Sequence, residues 1–136
     1  MPPALDWTHK NHYVTGNKNG SCGVGLEIRF GTRKLKRGFD NMRECVRRYG
    51  DRVARAIVLR MAVLKGANHL GLVPVDRPIR RHQLSGKRKD QFAVDLVHPH
   101  RLVFRPDHNP IPRKLDEGID LMAVTAIEII EVIDYH

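Results

Sequence analysis

The sequence is poor in cysteine and in aromatic residues, and it contains no long apolar run. Its two cysteines, Cys22 and Cys45, are too few and too far apart for a disulfide framework or a cysteine-ligated zinc site. No stretch approaches the roughly 18 to 20 apolar residues that a membrane helix needs, and no secretory signal pattern is present. These absences favour a cytoplasmic protein with free thiols, and we expect Cys45 to lie in the core.

Positive charge is the most distinctive compositional feature of the 136 residues. Lysine and arginine total 24 against 15 acidic residues, a formal net charge of +9, and most of them lie between residues 29 and 114. Such a basic surface attracts polyanions, of which nucleic acid is the usual one, although it can also meet an acidic protein. Because phosphate contacts provide affinity without catalysis, charge alone leaves the function open.

The first half of the chain predicts an extension, one strand and two helices. Residues 1–25, rich in glycine and polar residues, predict an irregular extension before a single domain at 26–136. Residues 26–30 alternate apolar and charged side chains, as a short strand does. Apolar residues at three- and four-residue steps predict one helix over 35–49 and a second over 51–66, with Arg60 away from its apolar face.

The second half predicts strands, because the apolar period changes to two after residue 79. A short strand is expected at 80–84, and residues 92–97 and 101–105 predict a hairpin with Pro99 in its turn. Residues 106–120 contain three prolines and predict a loop.

The chain ends in a β-branched run from Ala123 that contains no glycine or proline, which predicts a strand in the middle of a sheet. The fold class is therefore α+β, with a helical hairpin on one face of a mostly antiparallel sheet of four or five strands.

Polar groups far apart in sequence stand at the predicted strand ends. They are His82, Arg101, Asp134, Tyr135 and His136. Histidines and an arginine without a carboxylate cluster suit metal-independent cleavage of RNA, in which the 2′-hydroxyl is the nucleophile. Histidine can transfer the protons, and Arg101 can stabilise charge on the phosphate. Taken singly, each of these residues has an ordinary interpretation as a surface or core side chain.

A second basic group is a candidate RNA contact, with a solvated basic turn as the alternative. It consists of Arg80, Arg81, Lys87, Arg88 and Lys89. We expect no cofactor and no metal site, because no histidine pair has helical spacing with a glutamate and the turn at 98–100 has no obvious third ligand. The residues alone thus indicate a basic α+β domain, with RNA binding as one interpretation.

Four segments resemble the RelE/ParE superfamily of bacterial toxins, and most closely its HigB branch. They are HQLSG at residues 82–86, KRKDQFAVDL at 87–96, HRLVFRP at 100–106 and IEVIDYH at 130–136. The similarity covers about residues 26–136 and includes the order of strand, helical hairpin and sheet. Its most specific parts are the terminal Asp-Tyr-His and the Arg-Leu-Val-Phe strand.

The resemblance implies a ribosome-dependent endoribonuclease that cuts messenger RNA in the decoding site. It also implies inhibition by a cognate antitoxin of helix-turn-helix type, with operator DNA contacted only through that antitoxin. By position, it assigns proton transfer to His82 and His136 and phosphate contact to Arg101. It assigns stacking or orientation of the nucleotide to Tyr135 and the fixing of a histidine to Asp134.

Two positions depart from the HigB pattern. Ser85 stands where a lysine is common, and Asp95 stands where relatives often have a basic residue. Both weaken the local positive field, for which the basic turn at 87–89 can compensate.

Two other functions stay open. One is a ParE-like protein that binds gyrase without cleaving RNA, although the Asp-Tyr-His end argues against it. The other is an inactive toxin-like co-repressor.

Overall fold

The computed structural model describes residues 25–134, which fold into an α+β arrangement. The helices of this part of the chain are α1 (Arg33–Phe39), α2 (Met42–Tyr49) and α3 (Asp51–Gly66). Its strands are β1 (Glu27–Phe30), β2 (His82–Gln83), β3 (Phe92–Asp95), β4 (His100–Pro106) and β5 (Ala126–Asp134). The predicted fold class is confirmed at this level, whereas the extension at 1–24 and the residues Tyr135 and His136 lie outside the described range.

The strands form one open sheet in the order β1-β5-β4-β3-β2. The pairing of β1 with β5 is parallel, and the other three pairings are antiparallel. The prediction that the last strand lies inside the sheet is confirmed, because β5 has β1 on one side and β4 on the other. The predicted hairpin is also confirmed, with Pro99 between β3 and β4, whereas β2 is shorter than the predicted strand at 80–84.

The prediction of one continuous helix over residues 35–49 is wrong, because the helix stops at Phe39 and a new one starts at Met42. Asn41 between them is extended, with φ −156° and ψ 167°. Its side-chain oxygen accepts a hydrogen bond from the backbone N–H of Glu44 at 2.9 Å. Asparagine is a strong helix N-cap, and this capping starts a second axis where the apolar periodicity suggested a single one.

Gly50 makes the junction between α2 and α3. Its φ of 87° lies in the left-handed region, where glycine has no Cβ to clash. Its N–H donates to the carbonyl of Val46 at 2.8 Å, and its carbonyl accepts from the N–H of Ala54 at 2.9 Å. A single residue therefore ends one helix and begins the next, and α3 ends at Gly66 as predicted.

The core lies between the helices and one face of the sheet. Phe92 and Phe104 stack on that face with their ring centroids 6.0 Å apart, and Phe39 and Ile57 from the helices are also fully buried. Cys45 is buried as predicted, and burial raises the pKa of its thiol to about 11. No helix within residues 25–134 is long and apolar enough to cross a membrane.

Candidate functional site

The face of the sheet that points away from the helices carries two rows of side chains. The first row runs from β2 to β5 through His82, Ala93, Val103 and Glu131. The second row lies one step nearer the β3–β4 turn and contains Asp95, Arg101 and Ile133. Directly paired residues share a face of a sheet, so the register alone places His82 and Arg101 on the same side.

Asp95 links two arginines in the second row. Its Oδ2 lies 2.6 Å from Nε of Arg80, a charge-assisted hydrogen bond. Its Oδ1 lies 3.5 Å from Nε of Arg101, which is an ion pair but not a hydrogen bond. Consequently, Oδ1 is buried without a hydrogen-bond partner among residues 25–134. The acidic residue that departs from the HigB pattern is therefore in direct contact with the predicted phosphate-binding arginine.

His82 is held in a defined tautomer when it is neutral. Its Nδ1 lies 2.7 Å from the backbone carbonyl of Arg80, and because a carbonyl oxygen only accepts, Nδ1 must carry the hydrogen. The other ring nitrogen, Nε2, is buried and has no hydrogen-bond partner within the described range. Neutral His82 thus has an unused lone pair at Nε2, as a proton acceptor requires, but the burial of this atom means that a substrate hydroxyl reaches it only after neighbouring side chains move.

Asp134 lies beside a histidine that the sequence did not single out. It is paired with His100 across β4 and β5, and Nε2 of His100 is 3.9 Å from Oδ2 of Asp134. That distance is too long for a hydrogen bond, and the contact is ionic only when the imidazole is protonated. Because side chains alternate along a strand, the side chains of Asp134 and His100 project from the face of the sheet opposite to that of Arg101. All three residues lie at the same end of the sheet.

A surface cleft of about 560 Å³ opens at this end of the sheet. We call it the arginine cleft; its charged and titratable lining consists of Arg77, Arg80, Asp95, His98, His100 and Arg101. Three arginines face one aspartate in this set, so the cleft has an excess of positive charge. It is also within the usual volume range of ligand sites, roughly 300 to 1,000 Å³.

The predicted RNA-contact residues divide into exposed and structurally engaged groups. Lys87 and Lys89 are exposed and line a second cleft of about 540 Å³ together with Arg105. Arg88 is engaged instead, with one NH₂ group 2.5 Å from Glu131 and the other 2.7 Å from Gln91.

Arg81 has a structural environment. Its Nε donates to the carbonyl of Val73 at 3.0 Å, and burial lowers the pKa of its guanidinium. A direct contact between Arg81 and RNA would require this hydrogen bond to be given up.

The prediction for Arg60, which also belongs to this region, is wrong. We predicted it to lie away from the apolar face of α3, but it is 8% exposed. Its Nε donates to the carbonyl of Asp95 at 2.6 Å, and NH₂ donates to the carbonyl of Pro78 at 3.4 Å. Helical periodicity gives no signal for such a role, because the carbonyls that it binds belong to segments distant in sequence.

The structure thus brings Arg101 and the end of β5 to one end of the sheet and places His82 on the face that Arg101 shares. Within residues 25–134, no group of three or more histidine, cysteine, aspartate or glutamate side chains could hold a metal ion. Comparisons of the chain with models of known protein families, with characterised proteins and with solved structures found no match.

Proposed function

We propose that this protein is the toxin of a toxin-antitoxin pair, an endoribonuclease that cleaves ribosome-bound messenger RNA without a metal ion. The supporting observation is the sheet register that pairs Asp95 with Arg101 and Arg101 with Ile133. Because of this register, Arg101 stands beside Ile133 at the end of β5. Ile133 directly precedes the Asp134-Tyr135-His136 sequence on which the HigB resemblance depends. A cognate antitoxin would inhibit the protein by covering this end of the sheet.

The chemistry requires a base, an acid and a cation around one phosphodiester. The base takes the proton of the 2′-hydroxyl, whose oxygen attacks phosphorus, and the bond from phosphorus to the 5′-oxygen breaks as the acid protonates that oxygen. The products are a 2′,3′-cyclic phosphate and a free 5′-hydroxyl. We assign the base to His82 and the acid to His136 from the resemblance. Nε2 of His82 has a free lone pair in the neutral tautomer, and because this atom is buried, neighbouring side chains must move before it takes the proton of the 2′-hydroxyl.

Arg101 would stabilise the charge that develops on the phosphate oxygens. The strands that carry His82 and Arg101 are separated by β3 alone, so their backbones are roughly 10 Å apart at the usual strand spacing. Arginine and histidine side chains are long enough to converge on one phosphodiester across that distance, provided that the side chains covering Nε2 of His82 move. Exposed Lys87 and Lys89 would then contact flanking phosphates of the RNA and add affinity without sequence preference.

Expression without an antitoxin tests the proposal. The unmodified chain should arrest growth and shorten cellular transcripts, and His82→Ala or His136→Ala should relieve both effects while circular dichroism shows a folded protein. Full toxicity of both variants would contradict the assigned chemistry. Inhibition of purified gyrase with intact transcripts would instead favour a ParE-like function, and the absence of any growth effect would favour a co-repressor.

A further inference from the structure

We propose that the arginine cleft is a binding subsite for one backbone phosphate of single-stranded RNA, and that the carboxylate of Asp95 competes with this phosphate for Arg80 and Arg101. The polymer is RNA only if the proposed function holds, whereas the competition between carboxylate and phosphate depends on the cleft alone. Asp95 would therefore be an internal competitor that limits how tightly the protein holds RNA.

The geometry of the carboxylate supports this competition. Asp95 places one oxygen 2.6 Å from Nε of Arg80 and the other 3.5 Å from Nε of Arg101. A phosphodiester also has one negative charge shared by two oxygens, so it can occupy the same position between two guanidinium groups. The carboxylate is incompletely satisfied there, because Oδ1 is buried without a hydrogen-bond donor among residues 25–134.

Arg80 lies in a turn that two backbone hydrogen bonds hold in place, and its side chain lines the cleft. Arg80 has φ of 49°, a left-handed conformation that is unfavourable for a residue with a Cβ. The turn is held by a hydrogen bond from the N–H of Arg80 to the carbonyl of Asp76 at 2.9 Å. A second bond of 2.8 Å joins the N–H of Asp95 to the carbonyl of Ile79 and fixes the turn to the end of β3.

The charge balance favours an anion even while Asp95 is present. Arg77, Arg80 and Arg101 line the cleft together with the carboxylate of Asp95, and Asp134 lies 3.9 Å from His100 of the lining. A single carboxylate cannot neutralise three guanidinium groups, so the cleft attracts a phosphate, which must compete with the carboxylate of Asp95 for the arginines. Removal of the Asp95 charge should therefore strengthen phosphate binding.

The experiment measures binding separately from cleavage. The probe is a fluorescent single-stranded 2′-O-methyl RNA, which lacks the nucleophilic hydroxyl, and affinity is read by anisotropy at several salt concentrations. Asp95→Asn keeps the size of the side chain and removes its charge. We expect Asp95→Asn to bind the probe about fivefold or more tightly. The slope of log K against log salt concentration should become steeper by about 0.7 for each additional phosphate that the protein neutralises. Inorganic phosphate as competitor distinguishes a site for a free anion from one for the polymer.

Glu44→Gln is the matched control for Asp95→Asn. Glu44 is 2.6 Å from Arg47 on α2 and 33% exposed in its side chain, against 28% for Asp95, so both substitutions remove one arginine-paired carboxylate. Equal binding by the two variants would show an effect of net charge only and would overturn the proposal.

A second pair of variants keeps the test valid if Asp95→Asn folds poorly. Arg80→Gln should weaken binding several-fold more than Arg55→Gln, an exposed arginine paired with Asp51 on α3. Equal losses for the two would contradict the subsite. If Asp95→Asn tightens binding but the unmodified chain cleaves no RNA on ribosomes, the competition between Asp95 and a phosphate stands and the proposed function falls.

Discussion

Arg60 and Asp95 connect the helical layer to the functional end of the sheet. Nε of Arg60 donates to the backbone carbonyl of Asp95 at 2.6 Å, and the same guanidinium also binds the carbonyl of Pro78. Burial lowers the pKa of Arg60, and the nearby charge of Asp95 partly offsets this effect. One buried cation thus joins α3, the end of β3 and the turn that carries Arg80.

Replacement of Arg60 should therefore reduce stability. Arg60→Met fills the space but leaves two carbonyl groups without their donor, and each such loss costs about 1 to 3 kcal/mol. We expect chemical denaturation to show a total loss of about 2 to 6 kcal/mol for the two carbonyl groups together. Arg55→Gln, at an exposed position with 71% of its side chain accessible, should change the unfolding free energy by less than about 0.5 kcal/mol. Similar values for the two variants would refute a structural role of Arg60.

His82 should be required for cleavage and much less for folding. His82→Gln retains a polar side chain at the edge strand but cannot exchange a proton near neutral pH, so the cleavage rate should fall about 100-fold or more. Thermal melting should change little. His69→Gln is the control, because His69 also has a buried ring nitrogen without a hydrogen-bond partner among the described residues. Comparable activity of both variants would remove His82 from the mechanism.

Asn41 should stabilise the start of α2. Its side chain accepts the N–H of Glu44, and loss of such an N-cap costs about 0.5 to 2 kcal/mol. We expect Asn41→Ala to lower the unfolding free energy by about 1 kcal/mol. Asn68→Ala, at an exposed loop position, should have almost no effect. An unchanged denaturation midpoint for Asn41→Ala would argue against the division between α1 and α2.

Cys45 should resist alkylation in the native protein. An ordinary cysteine thiol has a pKa of about 8.5. Burial favours the neutral thiol and raises the pKa of Cys45 to about 11, so the reactive thiolate is scarce at pH 8 to 9 until the chain unfolds. Mass spectrometry should find Cys45 unmodified by iodoacetamide in buffer and fully modified in denaturant. Rapid modification of the native protein would mean that the thiol is not buried.

The elements with strong patterns were predicted from sequence because local chemistry determines them. The β-branched run before Asp134 forms the inner strand β5, and Pro99 lies in the expected turn. The break between α1 and α2 was missed because apolar periodicity continues across it. Asn41 followed by Glu44 three positions later is a helix-start signal that could have revealed the break.

The contacts of the site depend on tertiary structure and could not be read from the chain. Asp95 was recognised as a departure that weakens the positive field, but its position between Arg80 and Arg101 follows from the register of β3 with β4. The pairing of His100 with Asp134 has the same origin, since β5 reaches β4 only after a long loop.

The most direct test of the proposed nuclease function is a cleavage assay with purified protein and ribosomes programmed with a defined messenger RNA. Mapping of the new 5′ ends should show cleavage within the coding sequence only when ribosomes are present. Arg101→Gln should lose this cleavage, and Arg55→Gln should retain it. The absence of cleavage by the unmodified protein, or undiminished cleavage by Arg101→Gln, would contradict the proposed function.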